Sequence, residues 1–394
     1  MLDYGAVFAA TSAAALIGTP LVRRVAIRYG FIDHPSDRKV HPKPTPTLGG
    51  LALWFAMLVG LGVAYAIPDF RPLFEVSSEP IGVAVAGTVI VALGGYDDVR
   101  NLSVPAKVAG QILAAGILLL YGVQLAYFWF PGLGILSLSA DLALPLTFLW
   151  VLAMINAVNL IDGLDGLAAG VVAIAAGAFF VYAHQSGEPI WGDTPSPATL
   201  LSVVVAGAAL GFLPHNFHPA RIFMGDSGSM LLGLVLGAAT ISGVGKTVEP
   251  TNSDLAGLAI PVAIPLLVLA VPFTDVTFAI IRRVRRGRPV TRPDKEHIHH
   301  QLLEIGHSHR NAVLLMYLWS ALLAGSALAI TYVKSRVLAV TLLVAVAVLL
   351  VGTSLPRMLR NGRTLRAARR RHPSVTSPDG NTPAKGAPRA VRGL

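Results

Sequence analysis

The 394-residue chain is 54% hydrophobic and 13% charged, carries a formal net charge of +10 and contains no cysteine. A soluble domain is roughly 25% charged, so this composition excludes one, and the missing cysteine excludes disulfides and thiolate metal sites while leaving the redox compartment open. The aliphatic content also excludes a nucleic-acid-binding domain and turns the positive charge toward membrane orientation and anionic lipid.

A membrane span needs about 20 mostly apolar residues. Eleven runs meet that pattern: 5–22, 49–67, 81–96, 105–123, 142–158, 164–184, 198–213, 229–244, 255–281, 312–333 and 337–355. They predict an all-α polytopic membrane protein with about eleven transmembrane helices. The opening "MLDYG" lacks a cationic n-region, so the first run reads as a retained span rather than a cleaved signal. With the N-terminus outside, 27 of the 31 Lys and Arg fall in inner segments, and Arg71, Lys246, Lys334 and Arg336 fall outside. By the positive-inside rule this places the C-terminus in the cytoplasm.

The loops then divide by character. The outer ones are Pro-, Ser- and acid-rich connectors. The inner ones read, in order, "DHPSDRKVHPKPTPTLGG", "GGYDDVRNLSVPAK", "NLIDGLDGLAAG" preceded by Asn156, "HNFHPARIFMGDSGS", and a segment from Arg282 to Arg310 holding "RPDKEHIHHQLLEIGHSH". Asp97 and Asp98, Asp162 and Asp165, and Asp226 thus reach the inner boundary from three loops. Each has a plain structural reading. Asp162 caps a helix starting near Leu164 with Asp165 in its first turn, Asp97 and Asp98 end a span, and Asp226 caps the eighth. Together they read differently, because adjacent carboxylates repel and need a cation or protons to coexist. Magnesium takes hard oxygen ligands and substrate phosphates. Nearby Arg and Lys suit phosphate recognition, and the glycines at 163, 166, 225 and 228 let backbone amides approach a phosphate. The pattern points to phosphoryl transfer between a nucleotide-linked donor and a lipid acceptor.

Five stretches carry a resemblance: "FIDHPSDRKVHPKPTPTLGG", "GGYDDVRNLSVPAK", "NAVNLIDGLDGLAAG", "ARIFMGDSGSMLLG" and "RPDKEHIHH". In this order, in alternate loops, the chain closely resembles the polyprenyl-phosphate N-acetylhexosamine-1-phosphate transferases, the superfamily of phospho-N-acetylmuramoyl-pentapeptide transferase. The resemblance implies transfer of sugar 1-phosphate from a UDP-N-acetyl sugar to polyprenyl phosphate with release of UMP, in a cytoplasmic-side cleft of the plasma membrane. It implies that Asp226 binds Mg²⁺, with Mn²⁺ as a substitute and Asn159 as second contact. Asp97 engages or deprotonates the lipid phosphate, supported by Asp98, while Asp162 and Asp165 shape the metal and diphosphate site. Lys107 stands where the family places a phosphate-binding lysine. Asn156, Arg221, His297, His299 and His300 complete the predicted substrate-binding set, and His307 and His309 read as solvated loop residues. The form "HIHH" resembles the N-acetylglucosamine branch, which favours UDP-GlcNAc over another UDP-N-acetyl sugar. Direct attack and a two-step route through a phospho-aspartate both stay open. Residues 1–356 read as the transferase domain and 357–394 as a basic, disordered cytoplasmic tail. Homodimers occur in the superfamily, and no stretch here marks a dimer contact. The rival from another class is a cation-coupled secondary transporter, whose acids belong mid-span.

Overall fold

In hydrocarbon a backbone has no hydrogen-bond partner but itself, so long apolar runs become helices. The structure is a computed structural model and describes residues 1–35, 43–130, 134–185, 195–244, 308–332 and 344. Its helices are α1 (Leu2–Tyr29), α2 (Gly50–Ala66), α3 (Arg71–Val76), α4 (Glu79–Arg100), α5 (Val104–Leu120), α6 (Ala140–Ile161), α7 (Leu167–Gln185), α8 (Pro197–Asn216), α9 (Gly225–Val244) and α10 (His309–Tyr332). Nine of the eleven predicted runs fall on them, one each on every helix but α3. The runs 255–281 and 337–355 (residue 344 apart), the domain boundary at 356 and the tail lie outside the described residues.

Among the described residues six helices (α1, α4, α6, α7, α8 and α10) are individually long and apolar enough to cross a membrane. A seventh span results if α2 is joined to the segment Pro68–Val76, which turns away from it by 93°. At 17 residues α5 is shorter. The protein is therefore a mostly helical, multi-pass membrane protein.

The interior is built on small residues. α8, rich in Ala, Gly and Val, is buried along nearly its whole length between α1, α7 and α9. α9 runs against α4, α6 and α8, and α10 lies on α7. Hydroxyls inside this apolar packing bond back to their own helix. Thr11 donates to Val7 O at 2.7 Å, Thr19 to Ala15 O at 2.6 Å and Ser202 to Ala198 O at 2.6 Å.

Up-and-down connectivity fixes where the loops meet. The C-termini of α1, α4, α6 and α8 and the N-termini of α2, α5, α7, α9 and α10 lie at one end of the bundle. Gly30, left-handed at φ +74°, closes α1, with Phe31 N–H donating to Ala26 O at 2.8 Å. The chain then forms a two-residue antiparallel ribbon, β1 (Ile32–Asp33) with β2 (Thr45–Pro46). Beyond it, Phe223 N–H donates to Pro46 O at 2.8 Å, and Gly49 and Gly50 N–H donate to Phe223 O and Met224 O, both at 2.9 Å. Backbone bonds thus fasten the entry to α2 to the entry to α9. A second ribbon, β3 (Tyr127–Phe130) with β4 (Gly134–Ser137), joins α5 to α6. Hydropathy assigns both ribbons to loops, because pairs this short leave no alternating apolar pattern.

Candidate active site

Charged side chains end a hydropathy run, yet the backbone continues past them. α4 extends to Arg100 and so carries Asp97 and Asp98 in its last turn, and α9 opens with Gly225 and Asp226. Asp98 Oδ1 accepts the Asp226 N–H at 2.8 Å, and its Oδ2 accepts the Ser227 N–H at 3.3 Å and Ser227 Oγ at 3.0 Å. One helix's acid therefore caps another helix's N-terminus and orients its first residue, Asp226. Contact this close requires Gly94, since a Cβ there would lie 2.5 Å from Ser227 Cα.

Asp226 is the centre of a polar network. Asn159 Nδ2 donates to Asp226 Oδ1 at 2.8 Å and to Ser229 Oγ at 2.9 Å. Lys107 Nζ bonds Asp226 Oδ2 and also Asp97 Oδ2, the latter at 2.7 Å. Asp97 Oδ1 accepts the Leu102 N–H at 2.6 Å, which braces the turn between α4 and α5. Four helices, α4, α5, α6 and α9, thus contribute to one cluster.

The α6–α7 turn supplies the other acids. Among the described residues the Asp162 carboxyl makes no hydrogen bond. Desolvation, then the charges of Asp226, Asp98 and Asp165, push its pKa well above the usual carboxylate range. Asp165 faces the α8–α9 loop. Its Oδ2 accepts from His218 Nδ1 at 2.8 Å and from Ala220 N–H at 3.0 Å, while its own N–H donates to His309 Nε2 at 3.0 Å. Ligand atoms of Asp165, His218 and His309 lie within 4.8 Å of one another, a spacing a metal ion could bridge. The two imidazoles, however, stack 4.2 Å apart at 16°, and His309 Nε2 is already occupied. In-plane lone pairs of near-parallel rings do not converge on one ion. The arrangement instead latches α10 to the site, aided by Tyr317 OH donating to Gly166 O.

These groups surround a cavity of about 740 Å³, whose lining includes Asp33, His34, Asp97, Asp98, Asn159, Asp162, Asp165, Asp226 and His309. That is room for a nucleotide-sized ligand. The structure thus brings Asp97, Asp98, Lys107, Asn159, Asp162, Asp165 and Asp226 to one end of one cavity or onto its walls. It places Asn156 elsewhere: its Nδ2 donates to Gln111 Oε1 at 2.9 Å and to Leu152 O at 2.7 Å, between α5 and α6. The exposed Arg221 lies outside the lining, and its carbonyl accepts from Arg23 Nε at 3.0 Å. His297, His299 and His300 lie outside the described residues. His309, read from sequence as a solvated loop residue, is half-buried in the cavity wall, which corrects that reading. A lone histidine at the start of an apolar run carries no signal that would have found it. His218 was visible only as part of the quoted "HNFHPAR".

Apart from the Lys107 ammonium, which has no lone pair to give, the groups around Asp226 offer oxygen to a cation. With its nitrogen given to Asp226 and Ser229, Asn159 keeps its amide oxygen, and Asp162 its whole carboxyl, without a hydrogen bond among the described residues. Such a set fits a hard divalent cation that retains waters.

Residues 80–244 match the model of glycosyl transferase family 4. Over 349 residues the chain is 42% identical to the decaprenyl-phosphate N-acetylglucosaminephosphotransferase of Mycolicibacterium smegmatis, covering 87% of this chain and 86% of the relative. It is 39% identical to the probable undecaprenyl-phosphate N-acetylglucosaminyl 1-phosphate transferase of Bacillus subtilis, covering 77% and 78%. With the undecaprenyl-phosphate alpha-N-acetylglucosaminyl 1-phosphate transferase of Escherichia coli K12 it shares 30% identity, covering 77% of each chain.

Proposed function

The chain belongs to glycosyl transferase family 4, and from that premise we propose that it transfers N-acetylglucosamine 1-phosphate from UDP-GlcNAc to a polyprenyl phosphate, yielding polyprenyl-diphospho-GlcNAc and UMP. The observation that carries this reading is the joining of Asp97, Lys107, Asn159 and Asp226 in one network beside the cavity.

An oxygen of the lipid phosphate attacks the β-phosphorus of the donor. The new P–O bond forms as the bond to the bridging oxygen breaks, and UMP departs with that oxygen. A phosphomonoester has its second pKa near 6 and is mostly dianionic at neutral pH, so direct attack needs little base strength. Catalysis then consists of positioning and charge neutralisation. Asp97 and Lys107 would orient the lipid phosphate, and Asp165 and the cavity wall would seat the nucleotide. Asp226 and Asn159 would hold Mg²⁺ or Mn²⁺, which supplies neutralisation of the diphosphate when bound. Direct attack is favoured over a phospho-aspartate because Asp97 and Asp98 are both held by donors, which lowers their nucleophilicity. The transporter alternative gains no support from acids that sit at helix ends rather than mid-span.

The cavity end also carries the described cations Arg23, Arg24, Arg28, Arg100 and Arg310, which supports a cytoplasmic active site and an outside N-terminus. Residues 1–356 form the transferase and 357–394 a basic tail.

The test is UMP release by purified protein with polyprenyl phosphate, Mg²⁺ and a panel of UDP-sugars. UDP-GlcNAc is expected to be the preferred donor. Asp226→Ala should reduce turnover by at least about 100-fold while the protein still inserts into the membrane. Substantial Mg²⁺-dependent turnover in that variant would overturn the cation assignment.

A further inference from the structure

Lys107 stands in the second turn of α5 with its ammonium shared between Asp97 and Asp226. Asn159 holds the other oxygen of Asp226. Both oxygens of the acid assigned to the divalent cation are therefore engaged, one of them by a full positive charge. An ammonium and a divalent ion on one carboxylate repel each other strongly in a partly desolvated site. One of the three must yield.

Asp226 is the least able to move. It lies in the first turn of α9, its N–H is fixed by Asp98, and Gly94 presses α4 against the following residue. Lys107 is the freest, because its flexible four-carbon stem can swing the ammonium away while its backbone stays in α5. We propose that Lys107 and the divalent cation compete for Asp226, so that cation binding exchanges the lysine ammonium for the ion. This rests on the reading that Asp226 holds the cation. Lys107 is then a positioning residue as well as a phosphate ligand. It neutralises the Asp97–Asp226 pair until the ion arrives, and it is released from Asp226 when the anionic substrate needs a positive group. A purely structural ion pair behaves oppositely, because removing it would disorder Asp226 and weaken the ion's hold.

The experiment measures Mn²⁺ binding to purified, substrate-free protein by electron paramagnetic resonance of the free ion. Wild type, Lys107→Met, Lys107→Arg and Asp226→Asn are compared. Lys107→Met should bind Mn²⁺ about tenfold tighter than wild type, and its thermal midpoint should rise more on Mn²⁺ addition. Lys107→Arg, which keeps the charge, should stay near wild type, and Asp226→Asn should lose the binding. Unchanged or weaker binding in Lys107→Met, with Asp226→Asn still deficient, would overturn the exchange and leave the cation assignment standing. Binding by Asp226→Asn equal to wild type would overturn both. If Lys107→Met does not fold, Lys107→Gln serves the same comparison.

Discussion

Asp98 illustrates how neighbours decide the role of an acid. Its two oxygens accept three donors from the start of α9, so it acts as a helix cap that aims Asp226. Asp98→Ala should cost about 1–2 kcal/mol of stability and much of the turnover, whereas Asp98→Asn, which keeps one acceptor oxygen, should lose less of both. Thermal unfolding and UMP release check this, and equal losses would deny that Asp98 acts as a cap. Asp162 presents the converse case, a carboxyl without a donor among the described residues, whose pKa is raised by burial and by three other acids. Over the interval between the usual carboxylate value and the raised one it holds a proton that a nearby cation must displace. Mn²⁺ affinity should therefore fall as pH drops through the raised value and level off above it, and Asp162→Asn should flatten that dependence. Calorimetric titration over a pH series would measure it. That the acids of separate loops meet at one cavity was legible because they stand in short polar motifs between apolar runs. Asp98's partners were not legible, since they lie 128 and 129 positions away. Nor was His309's place, which depends on α10 packing against α7.

At the scale of elements, hydropathy located the helices and misjudged their ends. The run 81–96 stops before the first acid, but α4 continues to Arg100. The run 142–158 likewise stops short of Asn159, which lies within α6. A window of apolarity registers lipid contact, whereas backbone hydrogen bonding persists until a cap intervenes, so Asp97, Asp98 and Asn159 lie past the ends of their runs yet within helices. Helix ends hold side chains more rigidly than loops do, which suits a reaction governed by position. Crossing distance is equally decisive. Gly94→Ala should force α4 and α9 apart, costing about 1–3 kcal/mol and reducing turnover although no functional group is altered. Gly62→Ala on α2, where a Cβ meets nothing within 4 Å, should leave turnover intact. Thermal midpoints and UMP release of the two variants would decide, and equal behaviour would deny that the α4–α9 contact sets the site.

For the whole molecule, the sequence revealed a polytopic membrane protein through its apolar runs, but not which helices touch. Apolar surfaces of Ala, Val and Leu all look alike to a hydropathy scan, and only packing shows α8 inside and α1 at the edge. Sidedness has a direct check, because the chain has no cysteine and a single introduced thiol would be its one reporter. His34→Cys at the cavity end should react with an impermeant maleimide in inverted vesicles and stay silent in intact cells. Val76→Cys, 72% exposed at the far end, should do the reverse. The opposite pattern would invert the topology.

The backbone bonds from Pro46, Gly49 and Gly50 to Phe223 and Met224 also bear on biosynthesis. Nearly 180 residues separate the two strips, so a ribosome that has threaded only the early helices into the bilayer has made no mouth for a sugar nucleotide. Closing that end of the bundle therefore waits for the later strip, which fastens the clasp left open by the earlier one.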